Sequence, residues 1–507
     1  MWKKLLITGC VTFSLLSGGT LSAQPSCEIK EEVTSEQLDR TQKELVAMMK
    51  ELKNDSYFQT ELDKAAVQSS LSKRMAAYKD LTVRLLSVLE IQAELEWMKP
   101  EAIQEALGIM KKSSGFDAVL ADKRFGELKS LLAGGFDGIY TGDAQAIDKA
   151  NKTLTLKRKL MLMSPDVNVD KMLTVKFDLG ERANFVGAGS LGIQPNNWSN
   201  LSSASRKNFK AQLVELSGLQ SGELSEKVLY KPAVDGSSVT DLVLNWDGKR
   251  LMFTALDTTR RWQVHELDIN NGEAKQVTNI PEPDLEFFDG TYLPDGRMLA
   301  ISNIGYQGVP CVNGSDAVGN MVLYDPSNGY LRRLTFDQDA NWHPVVMANG
   351  KVMYVRWEYT DLTHYFSRIV MHMNPDGTEQ KSLYGSGSMF PNSIFDVQPL
   401  PKHTNRFVGV ISGHHGVARS GRLMIFDPAK SRKEEKGMIQ ELPFRGRPII
   451  PEVKDELVNG VWPQFIKPYP LTDETFLVTA KLSPYSRWGI YLVDIYDNLT
   501  LVANADD

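Results

Sequence analysis

Three Asp-Gly or Asn-Gly turns, each set in the same context, constrain this chain more than any other feature. Asn245-Trp246-Asp247-Gly248-Lys249 precedes Leu251-Met252-Phe253. Leu293-Pro294-Asp295-Gly296-Arg297 precedes Met298-Leu299-Ala300, and Met347-Ala348-Asn349-Gly350-Lys351 precedes Val352-Met353-Tyr354. Such dipeptides between β-branched and aromatic runs are hairpin turns. The steps between them are 48 and 54 residues, the period of a β-propeller blade. A second hairpin follows each turn. Leu267-Asp268 with Gly272 and Val277-Thr278 is matched by Tyr324-Asp325 with Gly329 and Leu334-Thr335, and Met373-Asn374-Pro375-Asp376-Gly377 repeats the theme.

Weaker copies extend the series. Phe426-Asp427-Pro428 belongs to a fifth unit and Leu492-Val493-Asp494 to a sixth, while Leu173-Thr174-Val175 and Gln212-Leu213-Val214-Glu215-Leu216 fit a divergent first. The expected architecture is therefore mainly β: a six-bladed β-propeller over 166–507. A seventh blade would have to lie hidden in 181–240. Repetition has a physical reason, because one four-stranded blade cannot cover both its faces and a ring of blades can.

Ahead of the repeats, residues 24–165 read as an α-helical domain. Ser35 stands as an N-cap before Leu38, Leu45, Met48, Met49 and Leu52 at helical spacing. A second helix runs through Leu81, Leu85, Val88 and Leu89, Pro100 opens a third, Gly134-Gly135 breaks the run, and Ile147–Leu162 is the last. No His or Cys lies between Glu31 and Met163, so the helical part is read as a packing or docking module.

The first 23 residues form a secretory signal: Lys3 and Lys4, an apolar stretch from Leu5 to Leu16, then small residues up to Ala23. Ile7-Thr8-Gly9-Cys10 resembles a lipobox but has only six residues before it. The expectation is a periplasmic or secreted protein, soluble rather than lipid-anchored, with no transmembrane span in the mature chain. Of Cys10, Cys27 and Cys311, the last two would survive cleavage and could pair in an oxidising compartment. No Cys-x-x-Cys-His exists, so no c-type haem is expected. A net charge of -6 argues against nucleic acid as a partner, since no basic excess is available to neutralise phosphates.

The repeat also sorts polar residues onto faces. The loops 303–319, 356–366 and 412–420, with the segments entering each first strand, should share the face opposite the Asp-Gly turns. Long loops on a rigid scaffold usually carry function. The candidate ligand-binding residues there are Asn341, Trp342, Arg356, Trp357, Glu358, Asp361 and Arg419. The candidate metal ligands are His343, His364, His414 and Cys311, because imidazole, thiolate and carboxylate are the donors of divalent-metal sites. Asp289, Asp316, Asn392 and Trp462 map to the same face, whereas His265, His372 and His403 are read as structural.

Several long strings carry a resemblance. Phe336-Asp337-Gln338-Asp339-x-Asn341-Trp342-x-Pro344, Arg356-Trp357-Glu358-Tyr359, His372-Met373-Asn374-Pro375-Asp376-Gly377, Ser412-Gly413-His414-His415-Gly416, Gly308-Val309-Pro310-Cys311 and Trp488-Gly489-Ile490-Tyr491-Leu492-Val493-Asp494 resemble the hydrazine synthase α-subunit middle-domain family over roughly 150–503. The same propeller is similar to the TolB type. That resemblance implies a propeller platform. The chemistry of hydrazine synthase takes place at c-type haems, whose attachment motifs this chain lacks. Two functions are expected in consequence. The first is an exported propeller that binds a small molecule, glycan or protein partner at one face. The second is a metal-dependent lyase or hydrolase acting on a polysaccharide or small molecule at the channel mouth.

Overall fold

A computed structural model describes residues 33–167, 171–178, 201–203, 206–207, 210–219, 221, 223–234, 236–310, 313–358, 368–414, 417 and 419–504. Cys10, Cys27, Cys311, Asp361, His364 and His415 lie outside these, as do the signal segment and residues 181–200 of the stretch that could hide a seventh blade. The chain divides into two compact units.

The helical unit spans the described residues up to Met163, together with Leu482–Arg487. Its helices are α1 (Ser35–Met49), α2 (Ser56–Ala66), α3 (Leu71–Glu96), α4 (Pro100–Met110), α5 (Ala118–Leu132) and α6 (Ala144–Met161). The first cap is Thr34 rather than Ser35. Thr34 Oγ1 accepts from the Gln37 N–H at 3.2 Å while Gln37 Oε1 accepts from the Thr34 N–H at 2.9 Å. This reciprocal box satisfies two donors that the helix start would leave open, and Ser35 becomes the first helical residue. Leu45, Met48, Leu81, Leu85 and Val88 form one buried face of the core. Pro100 takes the first turn of α4, where its missing N–H costs nothing. Arg487 Nε reaches Glu90 Oε1 at 2.7 Å and Tyr485 packs on the same core, which ties Leu482–Arg487 to the helices. No helix among the described residues is long and apolar enough to cross a membrane.

The β unit, Ser164–Lys481 with Trp488–Ala503, is built from consecutive antiparallel meanders. The first has three strands, β1 (Lys171–Asp178), β2 (Lys210–Ser217) and β3 (Ser225–Tyr230). The next two are β4 (Val239–Leu244) to β7 (Ala274–Gln276) and β8 (Phe287–Tyr292) to β11 (Tyr330–Arg333). Then come β12 (Asn341–Val346), β13 (Val352–Trp357), β14 (Arg368–Met373) and β15 (Lys381–Tyr384). They are followed by β16 (Ser393–Pro399), β17 (Phe407–Ser412), β18 (Arg422–Phe426) and β19 (Met438–Leu442). The series ends with β20 (Gln464–Pro470) to β23 (Leu499–Asn504). A single parallel bridge, Arg368 to Ser393, joins the β12 and β16 meanders into one eight-stranded sheet.

The turns work as their composition requires. Gly248, Gly296 and Gly350 have φ of 67°, 89° and 79°, a region cheap only for glycine. Apolar side chains fill the space between successive sheets. Met252 and Val264 pack with Phe287, Tyr292 and Met298; Trp342, Met353 and Trp357 pack with Ile394, Ile411 and Met424.

Candidate functional site

The strongest cluster of charged groups stands on the first strands themselves. In five of these strands the ladder to the second strand slips by one residue: between Thr240 and Val243, Phe288 and Thr291, Trp342 and Val345, Phe395 and Gln398, and Ile466 and Tyr469. The first residue of each slip turns to positive φ: Asp241 at 56°, Asp289 at 52°, His343 at 53°, Asp396 at 49° and Lys467 at 50°. A bulge re-aims a side chain out of the pleat. Non-glycine residues hold such backbone angles only where the surroundings over-determine them, and such positions gather at functional sites. The first meander pairs β1 with β2 without a slip and contributes no member.

These five residues, far apart in sequence, meet. His343 Nε2 lies 3.2 Å from Asp396 Oδ1, and His343 Nδ1 lies 3.5 Å from Asp289 Oδ2. Lys467 Nζ lies 3.2 Å from Asp396 Oδ1 and 3.7 Å from Asp241 Oδ1. Backbone donors lock the arrangement, because the His343 N–H donates to Asp289 at 2.6 Å and the Lys467 N–H donates to Asp396 at 3.0 Å. Arg419 stacks on Trp342 and Phe395 at 4.8 and 4.9 Å and feels the charges of Asp396, Asp289, Asp241 and Asp316.

Each carboxylate answers differently to this field. Burial pushes against ionisation of Asp289, but His343 and Lys467 outweigh it and hold its pKa at about 2. Asp396 is likewise lowered: Lys467 and His343 overcome its burial. Asp241 is raised, by burial and by the charge of Asp289, against the pull of Lys467 and His343. Burial draws Arg419 down to about 10 while the four carboxylates resist, so it stays cationic at neutral pH. The carboxylates raise Lys467 despite its burial cost.

The candidate residues from sequence scatter across three surroundings. His343 and Arg419 belong to this charged cluster, but His343 stands inside β12 and not in an entry loop. Asn341 and Trp342 are also within β12 and buried, and Trp357 ends β13 at 2% exposure. The two indoles, 6.4 Å apart and near parallel, fill the core between sheets and present no ligand platform. Arg356 is engaged by Glu358 and lies 3.4 Å from Asp337, an ion-paired group. His414 is buried beside Trp357 and hydrogen-bonded to Arg368, itself 1% exposed. His343 and His414 therefore serve different clusters. Among the described residues no group of three or more His, Cys, Asp or Glu is placed to hold a metal.

Gly413 explains the Ser412-Gly413-His414 string. A Cβ there would stand 1.9 Å from the Asp455 carbonyl oxygen, so the chain crosses too closely for any side chain. The loop 303–319 does border a cleft of about 510 Å³, lined by Arg206, Arg261, Asp284, Glu286, Asn303 and Tyr306 among others. Its two arginines are already engaged, Arg206 with Glu286 and Arg261 with Asp257, both at 2.8 Å.

Asp241, Asp396 and Lys467 were not among the expected site residues. A signal for part of the set existed: Asp241, Asp289 and His343 each stand seven residues before a turn glycine, Gly248, Gly296 and Gly350.

No family model matches the chain, and no curated protein matches it. Solved structures do. Hydrazine synthase of Kuenenia stuttgartiensis is similar at 15% identity over 66% of this chain and 45% of that one, with a TM-score of 0.50. TolB of Acinetobacter baumannii is similar at 12% identity over 70% of this chain and 69% of that one, with a TM-score of 0.40. The chain spans less than half the length of the hydrazine synthase chain. The β unit has a propeller fold. At these identities the likeness extends to fold alone.

Proposed function

We propose that this protein is an exported six-bladed binding propeller whose ligand or partner is held at the channel axis by Asp241, Asp289, His343, Asp396 and Lys467. The observation that carries the reading is the repetition. Five first strands bulge at the same step and turn a polar side chain to a common centre. Packing alone has no use for five charged or titratable groups there, and burying them costs free energy unless they are paired. Lys467 keeps 49% of its side-chain surface exposed, so the centre is open to water at that residue. The cleft beside 303–319 is the weaker candidate, because its arginines are already neutralised. A metal-dependent lyase or hydrolase finds less support: His343 has a carboxylate at each ring nitrogen, and His414 is held by Arg368. Export rests on the Lys3–Ala23 pattern, and a mature start at Gln24 by mass spectrometry is its check.

The test is a fragment screen by crystallography, using amines, carboxylates, sugars and neutral alcohols. Fragments should gather within hydrogen-bonding distance of the five axial residues. Fragments that settle only in the 303–319 cleft, or nowhere on the axis, would remove the axial reading.

A further inference from the structure

The axial cluster carries more negative than positive charge. Asp241, Asp289 and Asp396, with Asp316 acting on the same centre through Arg419, face two fixed cations, Lys467 and Arg419. His343 is the only other titratable group facing it in these pairings.

Asp241 is where this imbalance is left open. Its side chain is only 4% exposed. Oδ1 accepts from Thr240 Oγ1 at 3.2 Å and faces Lys467 at 3.7 Å, while Oδ2 has no hydrogen-bond partner among the described residues. A buried carboxylate oxygen left without a donor is costly, and a charged donor relieves that cost best.

Lys467 shows what kind of donor fits. Its ammonium spans Asp396 at 3.2 Å and Asp241 at 3.7 Å, and the second contact is the longer. The backbone of Lys467 is fixed, but its half-exposed side chain has water to turn into. A four-carbon stem with a terminal ammonium is flexible. The group is therefore a tethered occupant of a cation position that it fills incompletely.

We propose that the axial site receives an alkylammonium or guanidinium group from its ligand, with Asp241 as the acceptor and Lys467 as the displaceable internal occupant. The proposal rests on the axial reading and names its ligand class. A free amine and a basic side chain on a partner protein supply the same chemistry.

Titration calorimetry at low salt tests it with three probes: 1,4-diaminobutane, 1,4-butanediol and a short unstructured lysine-containing peptide. The diamine should bind one to one and the diol should not. Binding by the peptide in place of the free diamine assigns the cation to a partner's side chain. Asp241→Asn should weaken cation binding at least tenfold. Lys467→Met should strengthen it several-fold, because the internal competitor is gone. Added salt should weaken it throughout. Failure of both cationic probes, or equal affinity for Asp241→Asn and the parent, overturns the assignment and leaves Lys467 as a permanent plug. Should Asp241→Asn not fold, Lys467→Met decides alone, and unchanged or weaker affinity overturns the proposal. Neutral or anionic fragments found on the axis without any cation binding would remove the ligand class and leave the axial site standing.

Discussion

Lys467 holds Asp396 twice: its backbone N–H donates to one carboxylate oxygen at 3.0 Å, and its ammonium lies 3.2 Å from the other. His343 also holds Asp289 twice, through its N–H at 2.6 Å and ring Nδ1 at 3.5 Å, both at the same oxygen, Oδ2. In each pair the residue on one first strand fixes the carboxylate of the strand before it. The backbone bulge and the charge pair are thus one device, repeated.

Removing the shared carboxylate should loosen that device. Asp396→Asn leaves Lys467 and His343 without their common partner and should destabilise the protein by about 1–3 kcal/mol. Urea unfolding of the variant beside the parent measures it. An unchanged midpoint would mean that the pairs contribute nothing net.

Acid should act through Asp289. Its carboxyl is lowered from an ordinary 3.8 to about 2, so the native state favours its ionised form. The stabilisation is fully present above about pH 4 and is lost as pH falls through about 2, amounting to about 2 kcal/mol. Asp241, raised in the folded state, works in the opposite sense and offsets part of the loss. Urea midpoints across this window should fall less steeply for Asp289→Asn than for the parent. Parallel curves would show that the pairing does not govern acid stability.

The positive φ of His343 makes a separate claim. At 53° an Asn is tolerated and a β-branched residue is not. His343→Val should therefore melt well below His343→Asn, although both lose the imidazole. Thermal melting in one buffer compares them, and equal melting temperatures would mean that the backbone there is relaxed.

Gly413 and His414 should behave as packing residues. Gly413→Ala drives a Cβ onto the Asp455 carbonyl and should cost about 2–4 kcal/mol or prevent folding. His414→Ala opens a void beside Trp357 and deprives buried Arg368 of a partner, at about 2–4 kcal/mol. Calorimetric melting tests both, and cation binding at the axis should be retained in any His414→Ala protein that folds.

The repeat was legible in sequence because hairpin turns have their own chemistry. Asp247-Gly248, Asp295-Gly296 and Asn349-Gly350 mark strand pairs wherever they fall, and their spacing announced the meanders. The site was harder to read for a different reason. Period-two alternation assumes an unbroken ladder, and a bulge shifts which side chains point inward. His343 was thus assigned to a loop mouth although it lies mid-strand. Metal-donor chemistry points to histidines and is silent on Asp241, Asp396 and Lys467. Trp342 and Trp357 looked like a ligand platform because sequence cannot distinguish an indole that fills a gap from one that faces water.

The bridge between Arg368 and Ser393 fuses two of the meanders into one eight-stranded sheet. Their sheets are joined by backbone pairing and share one apolar core, in which Trp342, Met353 and Trp357 meet Ile394, Ile411 and Met424. Among the described residues the three-stranded first meander has no such tie, and Ser225, Glu226, Lys227 and Val228 of its last strand are exposed. A series of meanders with unequal joints does not yield evenly. Amide protons of β13 and β17 should outlast those of β2 in deuterium exchange, and opening should begin at the first meander and reach the fused pair last. The molecule then has a grain: a rigid sector that anchors His343 and Asp396, and a yielding one beside Asp241.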